Sequence, residues 1–178
     1  KIKDDFGIKS RCLIENEDCE EQILTPGIDD EIFLRTKVPM TKNEVRVLSI
    51  SRLELTKNAV VYDVGSGTGS VSIECARLSP DIFVFAIEQK EEAANLTKEN
   101  AVRLGLSDQI VVINKKAPEG FEELPTPTHV FIGGSSGALS DILSAIQKKL
   151  IVKENTKGVR VVINAVSLET IAQITKLI

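Results

Sequence analysis

VVYDVGSGTGSVSIECA, residues 60–76, decides the fold of this chain. A run of β-branched residues meets Asp63, then glycines at 65, 67 and 69, then a stretch that reads as a helix. A strand passing through a glycine-rich turn into a helix is the opening unit of α/β domains that hold nucleotide-like ligands. Four further short apolar runs lie at 83–87, 110–113, 129–132 and 159–163, with helical periodicity between them. Ala93, Leu96, Ala101 and Leu104 form one helical stripe, closed by Gly105 as C-terminal cap, and Leu139, Ile142, Leu143, Ile146 and Leu150 form another. Continuous apolar strands alternating with helices predict a doubly wound, Rossmann-like α/β fold, a mainly parallel sheet covered by helices on both faces. The crossovers are expected to be right-handed.

Ahead of the first strand, TKNEVRVLSISRL (41–53) predicts a helix with Thr41 and Glu44 in capping-box spacing and Val45, Leu48 and Leu53 on its buried side. Pro39 keeps the preceding chain extended. The stretch 1–27 is less regular, with CLIEN (12–16) as a strand fragment.

Composition narrows the function. The chain has 178 residues, enough for one ordinary domain; 42% are hydrophobic and 27% charged, which are globular proportions. A net charge of −4 and only 4% aromatic residues argue against a general nucleic-acid binder. No apolar run is long enough to span a bilayer, and the expected location is the cytoplasm. Cys12, Cys19 and Cys75 contain no CxxC pair, and the one histidine, His129, excludes a multi-histidine metal site, so no metal is expected. Cys75 reads as a small buried residue, and His129, beside a strand, is not expected to be catalytic.

The ligand of the glycine turn follows from charge. Gly65, Gly67 and Gly69 give G-x-G-x-G, and the dinucleotide fingerprint would need glycine or alanine where Ser70 stands. Asp63, two residues ahead of the first glycine, would repel an arriving pyrophosphate and favour a cation. S-adenosylmethionine (SAM) carries a sulfonium and an ammonium and no phosphate, so it is the expected cofactor. Glu88, in AIEQK at the end of the next strand, suits the ribose hydroxyls and would repel a 2′-phosphate. The loop around Ala117 and Pro118 is expected near the adenine, where Lys115 and Lys116 offer no acceptor for its amino group. In FIGGSSG (131–137), Gly133, Gly134 and Gly137 let the backbone approach a bulky ligand, and Ser135 and Ser136 supply donors.

With these pieces in place, the chain resembles the decarboxylating C15-methyltransferase family of cobalamin biosynthesis. GIDDEIF (27–33), VPMTKNEVR (38–46), YDVGSGTGSVSIE (62–74), AIEQ (86–89), APE (117–119), FIGGSSG (131–137) and NAVSLET (164–170) carry the likeness. The resemblance implies methyl transfer from SAM to C15 of a precorrin or cobalt-precorrin, with loss of carbon dioxide from the ring C acetate. It implies a cofactor pocket of Thr41, Asp63, Gly65, Ser66, Gly67, Thr68, Gly69, Glu88, Gln89, Ala117, Pro118 and Gly133. Lys42, Arg46, Gly134, Ser135 and Ser136 are expected at the tetrapyrrole. Arg35, Lys37, Lys42 and Arg46 are read as an anion-receiving rim for its carboxylates. No catalytic acid or base is identified.

The resemblance also implies a homotetramer and residues 1–27 as a leader or the tail of a fused C5-methyltransferase domain, with the methyltransferase domain over 28–178. A closing antiparallel hairpin, usual in this fold, is missing from the chain as read. Two other readings stay open: a SAM-dependent methyltransferase acting on RNA or protein, and a non-catalytic SAM- or nucleotide-binding assembly domain.

Overall fold

The computed structural model describes residues 25–152, 158–165 and 167–177. Most of the 1–27 leader, including CLIEN, Cys12 and Cys19, lies outside the described residues. Five strands form one parallel sheet: β1 (Val60–Val64), β2 (Phe83–Ile87), β3 (Ile110–Ile113), β4 (His129–Ile132) and β5 (Arg160–Ile163). Their order is β3-β2-β1-β4-β5. Every pairing is parallel, with Val64 beside Ile87 on one flank and beside Ile132 on the other. The chain therefore reverses its winding between β1 and β4, and the carboxyl ends of those strands frame a crevice, the usual ligand position in such sheets.

Side-chain alternation along the strands sorts the core into two layers. Val61, Val84, Ala86 and Phe131 face one side, where they pack with Ile50 and Leu53 of α1 (Asn43–Leu53), Ile73 and Cys75 of α2 (Ser70–Arg77) and Ala101 of α3 (Glu91–Arg103). Tyr62, Val64, Ile87, Val130 and Ile132 face the other, against Leu139, Ile142 and Ile146 of α4 (Leu139–Val152) and, at the margin, Ile174 of α5 (Leu168–Leu177). The stripes read from the sequence in α3 and α4 occupy these layers, and Gly105 follows α3 in the left-handed conformation, φ +69°. Cys75 is fully buried. Among the described residues no helix is long and apolar enough to cross a membrane.

Helix α1 differs from its sequence reading. It starts at Asn43 behind Lys42, without a side-chain cap, and the Thr41 carbonyl accepts a hydrogen bond from the Arg46 guanidinium at 2.7 Å. Val45 and Leu48 are 47% and 58% exposed; the buried positions are Arg46, Ser49, Ile50 and Leu53. That is an i, i+3, i+4, i+7 set with two polar members, so counting apolar residues picks the wrong side of the helix.

Arg46 explains the difference. Its side chain is fully buried, and its Nε donates to Glu74 of α2, also fully buried, at 2.9 Å. Nη1 reaches Asp30 at 3.1 Å, Nη2 donates to the Ile28 carbonyl, and the guanidinium carbon lies 4.8 Å above the Phe33 ring. The Glu74 carboxylate accepts further bonds from the backbone N–H groups of Gly27 and Ile28. A buried pair is stable only when its remaining donors and acceptors are met, as they are here. Arg46→Ala strands Glu74 in the core, so it should lower the unfolding free energy by about 3–5 kcal/mol in urea titration. Exposed Arg52→Ala in the same helix should change it by less than about 0.5 kcal/mol.

Candidate functional site

The turn after β1 is held on both flanks. Gly65 and Ser66 donate to the Ile87 carbonyl of β2 at 2.8 and 3.3 Å, while Gly133 and Gly134 donate to the Val64 carbonyl at 2.9 and 3.3 Å. Each glycine of the turn has φ between +58° and +77° and its own steric reason to lack a side chain. A Cβ on Gly65 would stand 2.7 Å from the Gly134 carbonyl oxygen, one on Gly67 2.7 Å from the Pro39 carbonyl oxygen, and one on Gly69 2.7 Å from the Thr97 side chain. The strap 35–40 therefore lies directly over the turn. From beneath, α3 supplies Thr97, whose hydroxyl donates to the Gly67 carbonyl at 3.0 Å, and Asn100, which donates to the Thr68 carbonyl at 2.9 Å. Asn100 also exchanges hydrogen bonds with both backbone groups of Leu34, tying the strap to the turn. TKEN (97–100) gives no motif signal for this; only the placement of α3 reveals it.

A cavity of about 510 Å3 opens at the carboxyl ends of β1 to β4. Of the residues assigned in the sequence to a cofactor pocket, Gly65, Gly67, Glu88, Gln89, Ala117 and Gly133 stand in its wall; of those assigned to the substrate, Gly134, Ser135 and Ser136 do. Glu88 accepts from the backbone N–H groups of Gly67 (3.1 Å) and Lys90 (2.9 Å), which fix its carboxylate at the cavity edge. Gln89 reaches across the mouth to donate to the Ser136 hydroxyl at 2.7 Å. Ser136 is one of two non-glycine residues at positive φ among the described residues.

The remaining assigned residues stand outside the cavity wall. Asp63 does not line the cavity: alternation in β1 turns it toward α2, where it is fully buried and accepts a hydrogen bond from Ser72. Its other carboxylate oxygen has no hydrogen-bond partner among the described residues. Thr41 is drawn away by the α1 entry, and Arg46 is occupied by Glu74 and Asp30, so neither wall nor rim contains them. Lys42 pairs with Asp30 at 3.1 Å, beside the same buried network. Ser66, Thr68 and Gly69 belong to the turn but face inward, and Pro118 stands behind Ala117, to which it is joined by a cis peptide bond. In their place the strap residues Lys37, Val38 and Pro39 close the cavity, and Lys90 and Lys116 join its wall. His129 opens β4, at the sheet end opposite the turn.

The titration of Asp63 makes its burial measurable. Burial pushes its carboxyl up to about 6, helped by the Glu88 charge and opposed by the hydrogen bonds of Ser72. A carboxyl that holds its proton more tightly when folded contributes stability fully below its unfolded value of 3.8, and loses it as pH rises through about 6. Asp63→Asn removes that titration while keeping an acceptor for Ser72. The variant should therefore gain on the parent by about 3 kcal/mol between pH 4 and pH 7, read from paired denaturation curves.

Comparison with known proteins accords with this arrangement. Residues 32–178 match the family model of the precorrin methyltransferase domain. A probable cobalt-precorrin-6B C(15)-methyltransferase (decarboxylating) from Pyrobaculum calidifontis is 42% identical over 149 residues, 83% of this chain and 73% of that protein. The crystal structure of precorrin-6y C5,15-methyltransferase from Geobacter metallireducens superposes with a TM-score of 0.77 at 36% identity, covering 85% of this chain and 76% of the other. The C-terminal domain of precorrin-6Y C5,15-methyltransferase from Rhodobacter capsulatus gives 0.72 at 28% identity, covering 88% and 79%.

Proposed function

The chain belongs to the precorrin methyltransferase family, and from that premise we propose that it methylates C15 of a precorrin or cobalt-precorrin with SAM and removes carbon dioxide from the ring C acetate. One observation carries the proposal: a side-chain-free turn, a fixed carboxylate and a loop of small residues converge on one cavity at the winding reversal. The cavity suits SAM. Two of the lone pairs of Glu88 are taken by backbone N–H groups, and the others remain for the two ribose hydroxyls. Ile87 and Ala117 offer apolar surface beside them for a purine ring.

Bound SAM supplies an electrophilic methyl group on a sulfonium. The chain's own part is to bind, align and exclude water. Gly133 and Gly134, without side chains, let an acceptor carbon come close to the turn, and the strap 35–40 covers the cofactor side. The titratable groups among the described residues of the cavity wall are Glu88, Glu92 and four lysines. The rate enhancement is assigned to holding the reacting atoms close and in line. Decarboxylation follows from desolvating and orienting the acetate against an electron-accepting macrocycle. Cytoplasmic placement, a homotetramer and a domain over 28–178 belong to the same proposal.

Incubation with cobalt-precorrin and methyl-labelled SAM should transfer label and release carbon dioxide in equal amounts. Label transfer without carbon dioxide would remove the decarboxylating half, and NAD binding without SAM binding in calorimetry would overturn the whole. Glu88→Gln should weaken SAM about 10- to 100-fold, the cost of losing charged hydrogen bonds to the ribose.

A further inference from the structure

The cavity wall carries more ammonium groups than the single carboxylate of SAM can take. Lys37, Lys90, Lys115 and Lys116 line it, against the two carboxylates of Glu88 and Glu92, an excess of two positive charges in a chain with a net charge of −4. Both carboxylates are already engaged: Glu88 by two backbone N–H groups, and Glu92 by the Thr36 hydroxyl at 2.7 Å. Lys115 lies 3.6 Å from Glu123, an exposed pair. Lys37, Lys90 and Lys116 pair with no carboxylate among the described residues.

SAM carries one carboxylate, which can take one ammonium group, while its sulfonium and its own ammonium gain nothing from the others. Their presence in one wall points to a second ligand that is anionic. The sheet order gives the wall two unlike sides. Lys116 follows β3 and Lys90 follows β2, while Lys37 comes from the strap over the glycine turn. Across the turn, beyond β4, Gly133 to Ser136 are small and uncharged. A flat ring system fits against the small side, with acidic side chains reaching toward the lysines.

We propose that Lys37, Lys90 and Lys116 form the carboxylate-binding rim for the tetrapyrrole and set which edge of the macrocycle faces the glycine turn. The inference rests on the methyltransferase reading and replaces Arg46, which the buried network consumes, and Lys42, which pairs with Asp30 and stands outside the cavity wall. Ammonium groups on flexible stems suit carboxylates whose positions vary around a ring better than a single rigid fork would.

The test uses uroporphyrin, a tetrapyrrole bearing only acetate and propionate side chains, and its methyl ester, with binding read by fluorescence on the full chain. Each of Lys37→Gln, Lys90→Gln and Lys116→Gln should weaken uroporphyrin about 3-fold, and the triple variant about 30-fold. The wild type should lose affinity as salt rises from about 50 to about 500 mM, and the triple variant should respond less. The ester should bind weakly and without salt dependence, while SAM affinity in calorimetry stays unchanged in every lysine variant. Equal uroporphyrin binding by wild type and triple variant would overturn the rim, as would no binding by the wild type. A drop in SAM affinity instead would assign the lysines to the cofactor and equally overturn it. Failure of the wild type to bind SAM at all is the separate result that sinks the methyltransferase reading.

Discussion

A guanidinium and a carboxylate, both without solvent contact, hold this molecule's working end together. Arg46 and Glu74 connect α1 to α2, and the remaining lone pairs of Glu74 capture the backbone at Gly27 and Ile28. α2 begins at the last residue of the glycine turn, and the strap over that turn runs between Asp30 and Arg46, both members of the same network. Remove Arg46 alone and the network loses its link to Asp30, while Glu74 of α2 carries an unmet charge in the core. The energetic sign of such a pair depends on its completeness, and here the backbone completes it.

The second constraint is space. Three glycines meet three different neighbours: the backbone of Gly134, the backbone of Pro39 and the side chain of Thr97. The turn is the point where strap, α3 and the loop after β4 touch, so its glycines serve packing as much as ligand approach. The G-x-G-x-G pattern predicts an accommodating turn, but not which segment occupies the space that each missing side chain leaves. Those contacts bring Lys37, Glu88 and Gly133 to one cavity although they are distant in sequence.

Much of the architecture was legible because it depends on short-range periodicity. The apolar runs at 60–64, 83–87, 110–113 and 129–132 coincide with strands, and 159–163 begins one residue early. The helical stripes of α3 and α4 are buried as their spacing requires. Glu88, Gln89 and the Gly133–Ser136 loop reach the cavity because they follow strands whose carboxyl ends share one edge of the sheet. The errors share a cause as well. Arg46 looks like a surface cation in sequence, since the acidic partners at 30 and 74 are too distant along the chain to signal pairing. Asp63 looks like a ligand contact until alternation along β1 is counted outward from its apolar neighbours, which sends it to the α2 face.

The amino-acid sequence by itself determined the order of strands and helices, the doubly wound class and the position of the glycine turn, because backbone propensity and hydrophobic period act over a few residues. Tertiary structure alone decided which charges are spent internally and which remain for ligands. Arg46 is paired with Glu74 and Asp30, whereas Lys37, Lys90 and Lys116 stand beside the cavity without a carboxylate partner among the described residues. That division depends on distances of a few ångströms between residues far apart in the chain, and Coulomb interactions, unlike periodicity, are set by those distances.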